Sequence, residues 1–168
     1  MQDKSIQEEF LEAYDKYADA VFRHIFFRLY DRELAKDIMQ ETFEKTWEYI
    51  SKGNGVENMK AFLFRVAKNL LVSNVRKHKE QSLDVLMDGG FTPVGVNAED
   101  WKISIDCNIL LNYVDKLPKE YSEIIKLRYL DELSPGEISK IIKKSENAVS
   151  VRINRALQKL KKTTKHLK

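Results

Sequence analysis

Apolar residues return at steps of three and four along most of the chain, the mark of helices that bury one face. Phe10, Tyr14, Tyr17, Val21, Ile25 and Leu29 form one such stripe. Leu34, Ala35, Ile38, Met39, Thr42, Phe43, Thr46, Trp47 and Ile50 carry a second. The stretch SKGNGVEN interrupts the pattern with two glycines and two asparagines, a loop signal. Phe62, Leu63, Val66, Ala67, Leu70, Leu71 and Val75 then place a third helix over about residues 59–79.

Periodicity fades after Lys79. SLDVLMDGGFTPVGVNAED holds three of the six glycines and one of the three prolines, the composition of a linker. Helical spacing resumes with Ile105, Ile109, Leu110, Tyr113, Val114 and Leu117, and after Pro118 with Tyr121, Ile124, Ile125, Leu127 and Leu130. The expected architecture is all-α, with two small helical domains at 1–80 and 105–168 joined by a flexible linker at 81–104.

Near the C-terminus, LSPGEISKIIKKSENAVSVRINRAL has the form of a helix-turn-helix. Ser134 is a cap, Pro135 suits the first helical position, and Glu137 falls in the first turn, where a carboxylate meets the positive end of the helix. Ser145 caps a second helix after a very short turn. Val149, Ile153, Ala156, Leu157 and Leu160 share its inner face. Its outer face bears Asn147, Ser150, Val151, Asn154, Arg155 and Gln158, where a merely solvated helix would carry Glu and Lys. Asn, Gln and Arg can bond base edges in two places at once, whereas lysines chiefly neutralise phosphates. Arg152 lies between the faces and suits a phosphate or a packing role.

Charge sharpens this. The net charge is only +3, but residues 1–51 hold 7 Lys/Arg against 12 Asp/Glu, and residues 52–80 hold 7 against 2. Residues 81–139 hold 5 against 11, and residues 140–168 hold 10 against 1. Two basic stretches separated by acidic ones are the footprint of a polyanion binder with two contact regions.

On the second helix, Asp37, Gln40, Glu41, Glu44 and Glu48 share a face, with Phe43 and Trp47 at its border. An acidic face edged by aromatics suits protein binding, because aromatic anchors dominate interface energetics. The third helix carries Lys60, Arg65, Asn69 and Arg76 beside a loop with Lys52, Asn54 and Asn58. A basic helix next to such a loop can hold single-stranded nucleic acid and a flipped base, with Phe64 as the aromatic placed to stack.

Other classes lack material. Cys107 is the lone cysteine, and His24, His78 and His166 have no ligand spacing, so neither a disulfide nor a metal site is expected. No paired nucleophile and base or phosphate loop points to an enzyme, a cofactor or a small-molecule substrate. No apolar run approaches the roughly 20 residues that span a bilayer, and the start lacks a signal peptide's apolar core. A cytoplasmic protein is expected.

Together, DIMQETFEKTW, FLFRVAKNLLVSNVRK and LPKEYSEIIKLRYLDELSPGEISKIIKKSENAVSVRINRALQKL resemble the group IV (extracytoplasmic-function) sigma factors of bacterial RNA polymerase. The resemblance covers residues 8–80 and 105–162. It implies a domain 2 bundle of three or four helices and a domain 4 helix-turn-helix. It implies a contact to the β′ clamp helices of core RNA polymerase through Asp37, Gln40, Glu41, Phe43, Glu44 and Trp47, and a contact to the β flap. Promoter −10 capture maps onto the loop from Lys52 to Asn58 with Arg65, Asn69 and Arg76. Reading of the −35 element maps onto Ser145–Arg155, with Arg155 as the base-reading side chain. The family is often held by an anti-sigma factor, which adds a third partner. This chain departs from the family pattern at Lys143, where a turn glycine is usual, at Asn147 and Ala148, at Ser150, and at Phe62 in place of a tryptophan. A stand-alone helix-turn-helix regulator with an N-terminal interaction domain is the alternative; it would bury Phe43 and Trp47.

Overall fold

A computed structural model describes residues 5–81 and 105–165, with side chains for 5–77 and 109–165. Apart from Gln81, which ends the third helix, the expected linker 81–104 lies outside the described residues. The chain divides into two compact units, one holding the first three helices and the other the rest. Among the described residues every regular element is helical.

The first unit packs α1 (Ile6–Leu29), α2 (Arg32–Ser51) and α3 (Met59–Gln81) against one another. Each helix starts on a polar side chain that satisfies an orphan N–H. Ser5 and Glu8 form a capping box on α1, Asp31 accepts from Leu34 N at 3.0 Å, and Asn58 accepts from Ala61 N at 2.8 Å. Val21, Ile25, Ile38, Leu63, Phe64 and Ala67 meet in the core. Buried Thr42 and Thr46 return their hydroxyls to the carbonyls of Ile38 and Thr42, at 2.7 and 2.8 Å. That local bond lets a polar side chain sit in the core without leaving a donor unpaired.

The second unit comprises α4 (Ile105–Asp115), α5 (Lys119–Ile125), a π-helical turn (Lys126–Leu130), α6 (Pro135–Ile142) and α7 (Glu146–Thr163). The π turn departs from the regular helix expected through Leu130. Asp131 N–H reaches back to Lys126 O at 2.9 Å, and Leu133 N–H to Leu127 O at 3.1 Å. The wider turn shifts the register and buries Lys126, whose ammonium pairs with Asp115 at the end of α4. Ile109 and Leu110, expected on an inner stripe, are instead exposed, as are Tyr14 and Val75 in the first unit.

The helix-turn-helix forms as its caps predict. Ser134 and Glu137 make a capping box with Pro135 in the first turn of α6. Ser145 accepts from Ala148 N at 3.2 Å and starts α7. Between them Lys143 closes α6 in the left-handed region, φ 54° and ψ 48°. The N–H groups of Lys143 and Lys144 both donate to Ser139 O.

Candidate functional site

On α2, Asp37, Gln40, Glu41, Glu44 and Glu48 are exposed along one face, and Glu41 pairs with Lys45 at 3.5 Å within it. Trp47 is half-buried and lies against Phe10 of α1, ring centroids 5.1 Å apart. Phe43 overturns its expectation. It is only 4% exposed, covered by Tyr14 at 4.8 Å and Phe10 at 6.2 Å, because the start of α1 folds over this part of α2. It is a core residue under the face, not an anchor on it. Phe10 and Tyr14, unremarked as site residues from sequence, frame the aromatic edge instead.

A second correction concerns Phe64. It is fully buried and meets the His24 ring edge-on at 4.9 Å, so it cannot stack on a base. Phe62, two residues earlier on α3, is only partly covered. Its ring meets exposed Tyr49 at 4.8 Å, and the Arg65 guanidinium lies over it at 5.0 Å from the centroid. Three flat groups thus gather where α2 ends and α3 begins. The loop between the two helices is tied to the same place, since Asn54 Nδ2 donates to Tyr49 O at 2.9 Å. The sequence signal for this cluster is an aromatic on each side of the loop, Tyr49 and Phe62, which the spacing of basic residues does not reveal.

Lys52, Asn54, Asn69 and Arg76 are exposed, and Lys60 and Arg65 are half-buried. Asn58 serves as the cap of α3, which commits its Oδ1 to the backbone. In the second unit, Asn147, Val151, Asn154 and Arg155 stand exposed on α7, while Ser150 and Arg152 are half-buried. The hydroxyl of Ser145 is engaged as the cap. Val149, Ile153 and Ala156 fill the inner face. Among the described residues no helix is long and apolar enough to cross a membrane.

Residues 13–81 match the family model for Sigma-70 region 2, and residues 107–160 that for Sigma-70, region 4. The chain is 32% identical over 151 residues to the ECF RNA polymerase sigma factor SigM of Bacillus subtilis (strain 168), covering 89% of this chain and 91% of that protein. It is 31% identical to SigW of the same organism, covering 98% of this chain and 93% of the relative. The chain belongs to the ECF sigma factors.

Sigma factors are transcription initiation factors, and this one directs promoter-specific initiation. Region 2 spans the bundle with the acidic α2 face and the α2–α3 loop, and region 4 holds the helix-turn-helix. Matches to both halves disfavour a stand-alone regulator, which needs only the second. The burial of Phe43 does not revive that alternative, since α1 of the same bundle covers it. The fold is shared with the sigma factor RpoE, solved with the anti-sigma factor NepR from Bartonella quintana, at TM-score 0.72, 19% identity, and coverage of 92% of this chain and 95% of that one. It is also shared with CnrH, solved with the cytosolic domain of CnrY, at TM-score 0.69, 20% identity, and coverage of 94% and 88%.

Proposed function

We propose that this sigma factor docks on the β′ clamp helices of core RNA polymerase through Asp37, Gln40, Glu41, Glu44 and Trp47. Its region 2, residues 1–80, captures the melted −10 strand with the loop from Lys52 to Asn58 and with Arg65, Asn69 and Arg76. Its region 4, residues 105–168, reads the −35 duplex with the outer face of α7 and approaches the β flap, with residues 81–104 as the linker. Polymerase performs the chemistry. The sigma factor contributes binding free energy that places the enzyme on the promoter and opens DNA locally.

The observation that carries this reading is the division of labour between the exposed faces. α2 presents carboxylates beside a half-buried tryptophan, suited to a protein, whereas α7 presents amides and Arg155, suited to base edges. Because Phe64 is buried, the stacking role falls to Phe62, whose ring Arg65 and Tyr49 hold in place. Base–aromatic stacking contributes roughly 1–3 kcal/mol per base, which offsets part of the cost of unpairing and unstacking a displaced base. A cytoplasmic location and an anti-sigma partner accompany this role; both structural neighbours were solved as complexes, one with an anti-sigma factor.

The test is transcription in vitro from a promoter library by core polymerase with and without this protein. Initiation at a defined pair of −10 and −35 elements is expected. Transcripts no more frequent than with core alone, under conditions where the two proteins bind, would refute the proposal.

A further inference from the structure

Among the described residues three that are not glycine adopt the left-handed backbone region: Tyr30, Glu132 and Lys143. A Cβ crowds the following carbonyl there, so the conformation persists only where something compensates for it. Tyr30 packs its ring on Phe26, centroids 6.2 Å apart, and Glu132 is engaged by a neighbour. Lys143 differs. Its side chain is exposed and makes no ion pair or ring contact among the described residues. Nothing among the described residues explains a lysine at a place where glycine would be relaxed.

Its surroundings do. Residues 143–148 form one unbroken exposed stretch, running from the turn straight into the first turn of α7. In a helix-turn-helix the start of the second helix enters the major groove, and phosphates line the groove's edges. A cation on the turn therefore stands beside those phosphates once Asn147 and Val151 approach bases. Lys144 adds a second exposed cation next to it.

We propose that Lys143 is a phosphate-contacting residue for the promoter duplex, kept in a strained backbone position because its ammonium neutralises the strand flanking the groove that α7 enters. The inference rests on the reading of α7 proposed above and extends the contact surface to the turn. It sets stability against DNA affinity at one residue. Glycine there would relax the turn and weaken promoter binding together.

The experiment uses the full-length protein, alone for thermal unfolding and assembled with core polymerase for binding to promoter DNA across a salt series. Lys143→Gly is expected to raise the unfolding temperature of the unit holding α6 and α7 by roughly 3 °C. The same variant should flatten the dependence of log affinity on log salt by about 0.9, the slope of one released contact, which is about 3.5-fold in affinity between about 50 and 200 mM salt. Lys143→Arg should keep wild-type affinity and slope, and Lys143→Asn should follow glycine on DNA. A glycine variant that is stabilised yet binds with unchanged affinity and slope overturns the proposal, as does one that is not stabilised. Lost affinity with an unchanged slope also overturns it, because the effect would then act through helix orientation. Arg155→Ala is the companion variant: if it weakens promoter binding and Lys143→Gly does not, this inference fails alone. If neither variant matters, the reading of α7 fails with it.

Discussion

Arg65 lies over the face of Phe62, 5.0 Å from the ring centroid, one helical turn along α3. Because Phe62 also meets Tyr49 of α2, the guanidinium and two rings are held as a unit across the loop that joins the helices. Phe62→Ala should therefore slow promoter opening, by the roughly 1–3 kcal/mol that stacking one base supplies, and Phe62→Trp should preserve it. Fluorescence of 2-aminopurine placed in the −10 strand reports opening directly. Phe64→Ala should behave differently, destabilising the bundle by about 3–5 kcal/mol as a buried aromatic does; thermal unfolding separates the two.

The α2 face predicts an electrostatic contact. Reversing the exposed carboxylate in Glu44→Lys should weaken binding to core polymerase by about tenfold or more, with the largest effect at low salt. Affinity measured across a salt series, with helical content as a control for folding, checks this. Unchanged affinity at low salt would exclude Glu44 from the contact.

Arg155 is exposed on α7, four residues beyond Val151 on the same face. Arg155→Ala should lose about 1–3 kcal/mol on promoters with an intact −35 element and little on those with the element scrambled. Transcription from the paired templates makes the comparison. A uniform loss on both would assign Arg155 to the phosphates.

Ser134 and Glu137 close the start of α6 reciprocally, at 3.2 and 2.9 Å. Ser134→Ala should cost the second unit about 1 kcal/mol. Chemical denaturation monitored in that unit should register the loss, while the bundle of α1–α3 unfolds unchanged.

Lys126 is buried in the π turn and pairs with Asp115, whose side chain is 35% exposed. Removing the carboxylate in Asp115→Ala should cost about 2 kcal/mol, between the figures for exposed and fully buried pairs. Lys126→Met should be close to neutral, because it removes the buried charge as well as the pair. Denaturation midpoints that rank the variants the other way would show that the ammonium is held by other groups.

The helices, the caps at Ser134 and Ser145, and the outward face of α7 were legible in sequence because each depends on neighbours three or four positions away. The contrast between α3 and α2 shows where that legibility ends. Phe62 and Phe64 both lie near the edge of a wide apolar stripe, and only the seating of α3 against α1 decides that Phe64 meets His24 while Phe62 meets Tyr49. Phe43 likewise looks like an edge aromatic until Phe10 and Tyr14 cover it.

Periodicity and capping chemistry, read from the chain alone, thus determined an all-helical protein in which a three-helix bundle is followed along the sequence by a helix-turn-helix, since helical order is local. Tertiary structure alone decided which aromatics remain available, how the π turn buries Lys126, and that Lys143 carries a left-handed backbone without glycine. Those outcomes depend on which surfaces meet and on how the backbone closes each turn, and helical spacing contains neither.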